Sequence, residues 1–478
     1  MEEKMLKQSN KNSSSESEVK ETGKKDEKFE QKKISISTFV GPITDDKISL
    51  VSCTAMLLFI MTTAIMAVFA INKKSIDFTM NTFPDIIKYF TIPMMCILIF
   101  VVYLMVIDKI DTDGKSVFKV IRSNPLFIVF AAAVVMMLAS QIYNGMEYAL
   151  SGFCSASIAE TFPMEIAYFV FILFGAAQIR KKSHKRLITR FQVIVSMILV
   201  VAAFALWHSQ VESTFFYDWT PRFSSIYSNT NYYGYYLVVS ASLAAAYFLH
   251  EKCMIWKIIA AISFMANTVA LSLCNCRGSW LGAAFAIIFL VIAHYIIEKK
   301  VNWQALALIP VFIICLYLPG HIVGSFDNQI ARLGTDIASV ISGAEGSDSA
   351  GSSRVLIWKE SLKIANENSM LGIGFEGVKY WEFQGPPYNI RPHNEFIQYA
   401  LFHGYPMAIL YFIGCLGVFI RALRKKYIMN GETLACLAAA FGYLVSSFFG
   451  LTVFSTAAYL FIFLGMGYVR DDDAAAVE

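Results

Sequence analysis

Charge is scarce in this chain: only 16% of its 478 residues are Asp, Glu, Lys or Arg, against roughly a quarter in an ordinary soluble domain. That scarcity excludes a soluble globule, because too little polar surface exists to cover a body whose residues are 56% hydrophobic. The same apolar content excludes disorder of the whole chain. A disulfide framework is also missing, since the nine cysteines form an odd set without regular spacing. Most of them lie in apolar runs, where a thiol behaves as a small hydrophobe. Cys274-Asn275-Cys276 has no second pair with which to complete a metal site. No repeat relates the two halves. The net charge is only +4, so the placement of charge carries more information than its sum.

Residues 1–47 are a different material, rich in Lys, Glu and Ser, with ten Lys among them. They hold too few apolar groups to offset chain entropy, which predicts a disordered, solvated cytoplasmic tail. Weak association with anionic lipid is the alternative use of its lysines. It is not read as a secretory signal, since the first apolar stretch starts late and continues as a full span. Residues 471–478 form a short C-terminal tail, also expected in the cytoplasm.

Between them, residues 48–470 read as an all-α, polytopic membrane domain. A bilayer core takes about 20 apolar residues per helix. Twelve stretches qualify, near 48–71, 86–107, 125–144, 160–179, 189–208, 232–250, 255–273, 279–297, 303–319, 403–423, 432–449 and 452–469. The loops after spans two, four, six, eight and ten, with the N-terminal tail and Arg470, hold 29 of the 40 Lys and Arg, among them Lys109, Arg122, Arg186, Lys299 and Arg424. The positive-inside rule therefore predicts that these loops and both termini are cytoplasmic. The opposite face carries one long loop between spans nine and ten, about residues 320–403. Loops of that length in compact proteins are usually functional. Residues 326–341 and 354–366 look helical, the second with Val355, Trp358, Leu362 and Ala365 on one apolar face. Ser352 or Ser353 sits where an N-cap belongs, and 341–353 is a Gly/Ser-rich, mobile stretch.

Four groups fall on that extracytoplasmic side: Arg222 before span six, Arg277 at the start of span eight, Arg354 at the head of the loop helix and His393 before span ten. Arg277 stands in a very short turn between apolar helices. That position is costly unless the residue is paired or faces water, although snorkelling to headgroups is the ordinary alternative. Arg354 alone could be a surface charge, and Arg222 alone an anchor for its aromatic loop. A lone His beside Pro and Asn is more often structural than catalytic. Its merit is that imidazole is the usual general base near neutral pH, and Arg391 and Glu395 flank it. Together the set suits one chemistry. Arginines hold an anionic diphosphate, a histidine takes a proton from a nucleophile, and an apolar bundle accommodates a lipid tail.

Five stretches carry a resemblance: Arg222-Phe-Ser-Ser-Ile-Tyr-Ser-Asn229-Thr-Asn231, Ser272-Leu-Cys-Asn-Cys-Arg277-Gly-Ser-Trp-Leu281, Ser353-Arg354-Val-Leu-Ile-Trp358, Leu371-Gly-Ile-Gly374, and His393-Asn394 followed by Gly404. In order and spacing they resemble the O-antigen ligase/polymerase superfamily of integral-membrane glycosyltransferases, over about residues 45–470. Two positions depart from its pattern: Thr230 stands where Pro is common, and Cys276 where a small polar residue is usual. The resemblance implies transfer of a glycan from an undecaprenyl-diphosphate carrier to an acceptor hydroxyl, with inversion and without metal or cofactor. It implies a bacterial cytoplasmic membrane location with the active site outside. His393 resembles the catalytic base, and Arg277 and Arg354 resemble the arginines that bind the diphosphate and stabilise it as it leaves. Arg222, Arg391 and Asn394 are expected to contact substrate.

Within that class the acceptor stays open: lipid A-core of lipopolysaccharide, a growing capsule or wall glycan, or protein. The partners expected are the lipid-linked donor, the acceptor and membrane lipid, not nucleic acid. A lipid-linked glycan or small-anion transporter is the alternative; it predicts internal repeats and broken helices meeting at the midplane. An assembly protein whose outer loop binds partners is a third, and it predicts that His393→Ala is silent.

Overall fold

The computed structural model describes residues 45–73, 125–145, 162–179, 181–212, 223–227, 229–342, 350–375, 391–422, 431–451 and 453–468. Among these, fourteen α-helices and one 3-10 turn are present, and no strand. They are α1 (Asp45–Lys73), α2 (Pro125–Asn144), α3 (Phe162–Gln178), α4 (Lys182–Glu212), α5 (Thr230–His250), α6 (Met254–Leu273) and α7 (Arg277–Glu298). Then come α8 (Trp303–Ile322), α9 (Ser325–Ser342), α10 (Ala350–Glu367), α11 (Glu395–His403), α12 (Tyr405–Ala422), α13 (Gly431–Ser447) and α14 (Phe454–Tyr468). The protein is thus all-helical over the described residues.

A helix stands at each expected span except 86–107, which lies outside the described residues, as do 1–44 of the expected N-terminal tail and all of 471–478, while 45–47 of that tail belong to α1. Six of the described helices, α2, α4, α6, α7, α8 and α12, are long and apolar enough to cross a membrane by length and composition. α1, α3 and α14 hold shorter apolar cores. α5 and α13 are more polar, and the reason is their place: both are wrapped by other helices, with Tyr233 to Tyr247 of α5 buried continuously. A helix enclosed by protein has no lipid-facing side to keep apolar. By contrast α8 and α7 expose Ile313, Ile314, Ile288 and Ile292, the kind of surface a bilayer covers.

Small residues set the tightest approaches. A Cβ on Gly175 of α3 would stand 2.3 Å from the Ile462 carbonyl oxygen, and one on Gly465 of α14 would stand 2.2 Å from that of Ile172. The two backbones are therefore in direct contact. At the end where α4 begins, basic residues of the expected cytoplasmic loops are paired: Arg186 with Glu432 at 2.6 Å, and Arg190 with Glu251.

The long loop contains the two expected helices, α9 and α10, with two corrections. α10 begins at Ala350, so Ser352 and Ser353 lie inside it rather than capping it, and Ser353 has φ +64°. The packed side of α10 is Trp358, Ser361, Ile364 and Ala365, while Leu362 is exposed. The Trp358 indole donates to the Pro392 carbonyl at 2.7 Å, and this tie turns the helix so that Ser361 replaces Leu362 on the inner side. Of the stretch expected to be mobile, 343–349 lies outside the described residues.

The Leu371-Gly-Ile-Gly374 stretch is a structural joint. Ile373 and Gly374 donate backbone bonds to Leu401 and Phe402 at 3.0 and 2.9 Å, near the end of α11. Asn144 of α2 donates to the Gly372 carbonyl at 3.2 Å. Gly372 has φ +62°, and a Cβ there would meet the Phe402 backbone at 2.5 Å, so glycine is required on two counts. The joint clamps α11, and with it the residues just before α11, to the bundle.

Candidate active site

His393 sits in the short segment Arg391-Pro392-His393-Asn394 that leads into α11. Asn394 caps that helix: its side-chain oxygen accepts from the backbone N–H of Phe396 at 3.0 Å and Ile397 at 3.1 Å. An Asn N-cap contributes about 1 kcal/mol, and here it also fixes the direction in which the preceding residue leaves the helix. His393 itself is left-handed, with φ +51°, an uncommon and costly conformation for a side-chain-bearing residue. The Trp358 bond to Pro392 anchors the segment from the α10 side.

Arg354 lies one helical turn before Trp358, on the same side of α10. Its charge acts on His393, on Cys276 and on the Tyr235 hydroxyl. Those three groups lie at or near the starts of α11, α7 and α5. Arg391 is buried and lies over the Phe375 ring, 5.6 Å from the centroid. His393 is held well below its ordinary range, to about 4, first by burial and then by the positive charges of Arg354 and Arg391. It is neutral at pH 7 and able to accept a proton.

Arg277 is the first residue of α7, immediately after Cys276. The turn that presents it, Cys274-Asn275-Cys276, is closed by Asn275 at φ +55°. Both thiols are free and buried. The Cys274 thiol faces the Phe223 carbonyl at 3.1 Å, and the Cys276 thiol faces the Asn231 side-chain oxygen at 3.1 Å. Burial pushes both thiols up, so neither is a nucleophile near neutral pH. The Asn231–Cys276 contact joins the first and second motifs physically. Asn229 caps α5 by accepting from Asn231 N–H at 2.8 Å. Arg222 lies outside the described residues.

Arg277 is not free. It pairs with Asp336 of α9, Nη1 to Oδ2 at 2.8 Å. Nothing in the sequence singled out Asp336, a polar residue on an amphipathic helix 59 positions away. Two buried acidic groups near α11 take other partners. Glu395, expected to flank His393 as a tuning group, is fully buried and accepts from the Tyr411 hydroxyl at 3.1 Å. His403, at the far end of α11, is hydrogen-bonded to Glu165 of α3 at 2.8 Å, both buried. Only a three-dimensional arrangement brings those two together.

Backbone strain follows the motifs. Among the described residues, the non-glycine positions with positive φ are Ser225, Asn275, Ser353, His393 and Lys299. The first four fall one in each motif that carries a candidate side chain, three of them at or within two residues of Arg277, Arg354 and His393. Strained backbone persists where the surroundings over-determine it, and such positions cluster at functional sites.

Fold and site together define a multi-pass helical membrane protein with arginines gathered round a neutral histidine. Residues 260–412 match the family model described as O-Antigen ligase. That segment runs from within α6 to within α12 and contains Arg277, Arg354, Arg391, His393 and Asn394. That match, over about a third of the chain, supports a likeness to the O-antigen ligase/polymerase superfamily. No curated protein matches the chain.

Proposed function

We propose that the protein transfers a glycan from an undecaprenyl-diphosphate-linked donor to an acceptor hydroxyl on the extracytoplasmic face of the bacterial cytoplasmic membrane, as a ligase or polymerase of surface polysaccharide. The observation that carries this reading is the convergence of the Arg354 charge on a half-buried, neutral His393 and on Cys276, the residue next to Arg277. Arginine forks bind phosphate oxygens through charge-assisted, bidentate bonds. Arg277 and Arg354 take the diphosphate, with Arg222, Arg391 and Asn394 lining the donor and acceptor.

The step is a single displacement. The acceptor oxygen attacks the anomeric carbon, the bond from that carbon to the diphosphate oxygen breaks, and configuration inverts. His393 accepts the acceptor's proton. Negative charge grows on the departing diphosphate, and fixed cations aimed there lower the barrier. Both termini lie in the cytoplasm in this orientation, with the loop holding α9 and α10 outside.

The test is transfer by purified protein, supplied with lipid-linked glycan from its own host in the presence of EDTA and read by gel and mass spectrometry. Transfer in EDTA supports the reading, and the ladder of product lengths separates polymerase from ligase. Authentic donor left untouched across a range of acceptors overturns it and turns attention to lipid flipping.

A pH signature follows from the site's charge. In the free enzyme His393 is pushed down to about 4 by burial and two cations. A bound diphosphate neutralises part of that positive field, which favours protonated imidazole and raises the value. The acid limb of kcat/KM, which reports free enzyme, is expected near pH 4, and the limb of kcat at higher pH. Coincident limbs would show that the diphosphate does not bind beside His393.

A further inference from the structure

We propose that Asp336 is an internal stand-in for the donor's diphosphate: its carboxylate occupies Arg277 until a lipid-linked diphosphate displaces it, which frees the far half of α9 from the mouth of the site. The proposal rests on the reading above, in which Arg277 receives the diphosphate.

The geometry is specific. Arg277 Nη1 and Asp336 Oδ2 are 2.8 Å apart, with the two side chains 22% and 24% exposed. A carboxylate offers a guanidinium edge the same paired anionic oxygens that a phosphate does. One edge does not serve both at full strength, so an arriving diphosphate competes with Asp336 or is repelled by it. A partly exposed ion pair is weak, whereas a diphosphate brings more negative charge and more acceptor oxygens. The balance therefore favours the ligand once it is present.

What moves is set by how α9 is attached. Its first turn is pinned: the Phe326 ring stacks on Trp280 of α7 at 5.2 Å and meets Tyr317 of α8 edge-on at 5.3 Å. Gly320 makes that seat, since a Cβ there would come within 2.8 Å of Phe326 Cβ. Gly324, at φ +73° and with nothing within 4 Å of where a Cβ would stand, is an uncrowded joint between α8 and α9. Past Phe326 the helix leaves Ile330, Ala331, Arg332, Gly334 and Thr335 exposed. Asp336 ties this exposed half back to the first residue of α7. The helix also packs against α10, with Leu333 and Ser339 half-buried on its inner side, so release of the pair loosens the far half on the Phe326 seat, and its apolar residues have the outer membrane surface to rest on.

The test uses the full chain in nanodiscs with undecaprenyl diphosphate as the probe, comparing wild type, Asp336→Asn, Asp336→Glu and Arg277→Ala. A spin label at Thr335→Cys reports on α9. Wild type is expected to bind in an Arg277-dependent manner, Asp336→Asn about fivefold more tightly, and Asp336→Glu within about twofold of wild type. The label should gain mobility on probe binding in the wild-type background, and be mobile without probe in Asp336→Asn. Arg277-dependent binding that is unchanged or weaker in Asp336→Asn overturns the stand-in and leaves the functional reading in place, because Asp336 then only positions Arg277. Tighter binding with an immobile label overturns the release of α9. Absence of Arg277-dependent binding in wild type overturns both readings.

Discussion

Replacing His393 with Ala is expected to lower glycan transfer by about 10²–10⁴-fold, the usual contribution of one positioned base, while the protein stays folded. The folding half follows from the local structure. The segment around His393 is held by other groups: Asn394 caps α11 through two backbone bonds, Trp358 grips the Pro392 carbonyl, and the Gly372 joint clamps the end of α11. Ala keeps the Cβ and so the left-handed cost at φ +51°, and these neighbouring bonds are what hold the segment in both proteins. Initial rates with host donor and the thermal midpoint, measured side by side, check both halves. A rate within about threefold of wild type would remove His393 as the base and favour an assembly role for the protein.

The second large effect falls on the arginines. Arg277→Ala and Arg354→Ala are each expected to cost about 10²–10³-fold in kcat, the scale of losing one donor aimed at developing charge. Lys at either position should recover little, because an ammonium is a point charge without the planar fork. The two residues differ in a second readout. Arg354 helps to hold His393 down, so Arg354→Gln should move the acid limb of kcat/KM upward in pH. Arg277→Gln should leave that limb where it is, since its partner in the structure is Asp336. Full activity in both Lys variants would sink bidentate recognition of the diphosphate.

The helices were legible because apolar runs about 20 residues long have few other fates, and the termini of α2, α6, α7 and α8 fall within about three residues of the hydropathy boundaries. Arg277, Arg354 and His393 stood out as candidates because charge and imidazole are conspicuous beside apolar spans, and the structure sets the Arg354 charge beside His393. What was hidden is whatever depends on distant pairing. Asp336 looked like any polar residue on an amphipathic helix, and the Glu165–His403 bond spans 238 positions. Leu362 fitted a helical stripe as well as Ser361 did, and the indole of Trp358 decided between them. Asn394 was expected at the substrate, and its side-chain oxygen is engaged by the backbone of α11. A cap and a ligand use the same amide chemistry, so residue type alone does not separate them.

The left-handed residues at Asn275, Ser353 and His393 have a consequence for anyone improving this protein. Each is a position where glycine relieves the backbone, so a screen that rewards only heat resistance or expression will find its gains there first. Those gains come from letting the candidate side chains beside them drift, and under the proposed function yield is then traded for turnover. Selection for a sturdier variant therefore needs glycan product as a readout from the first round, with these three positions held fixed.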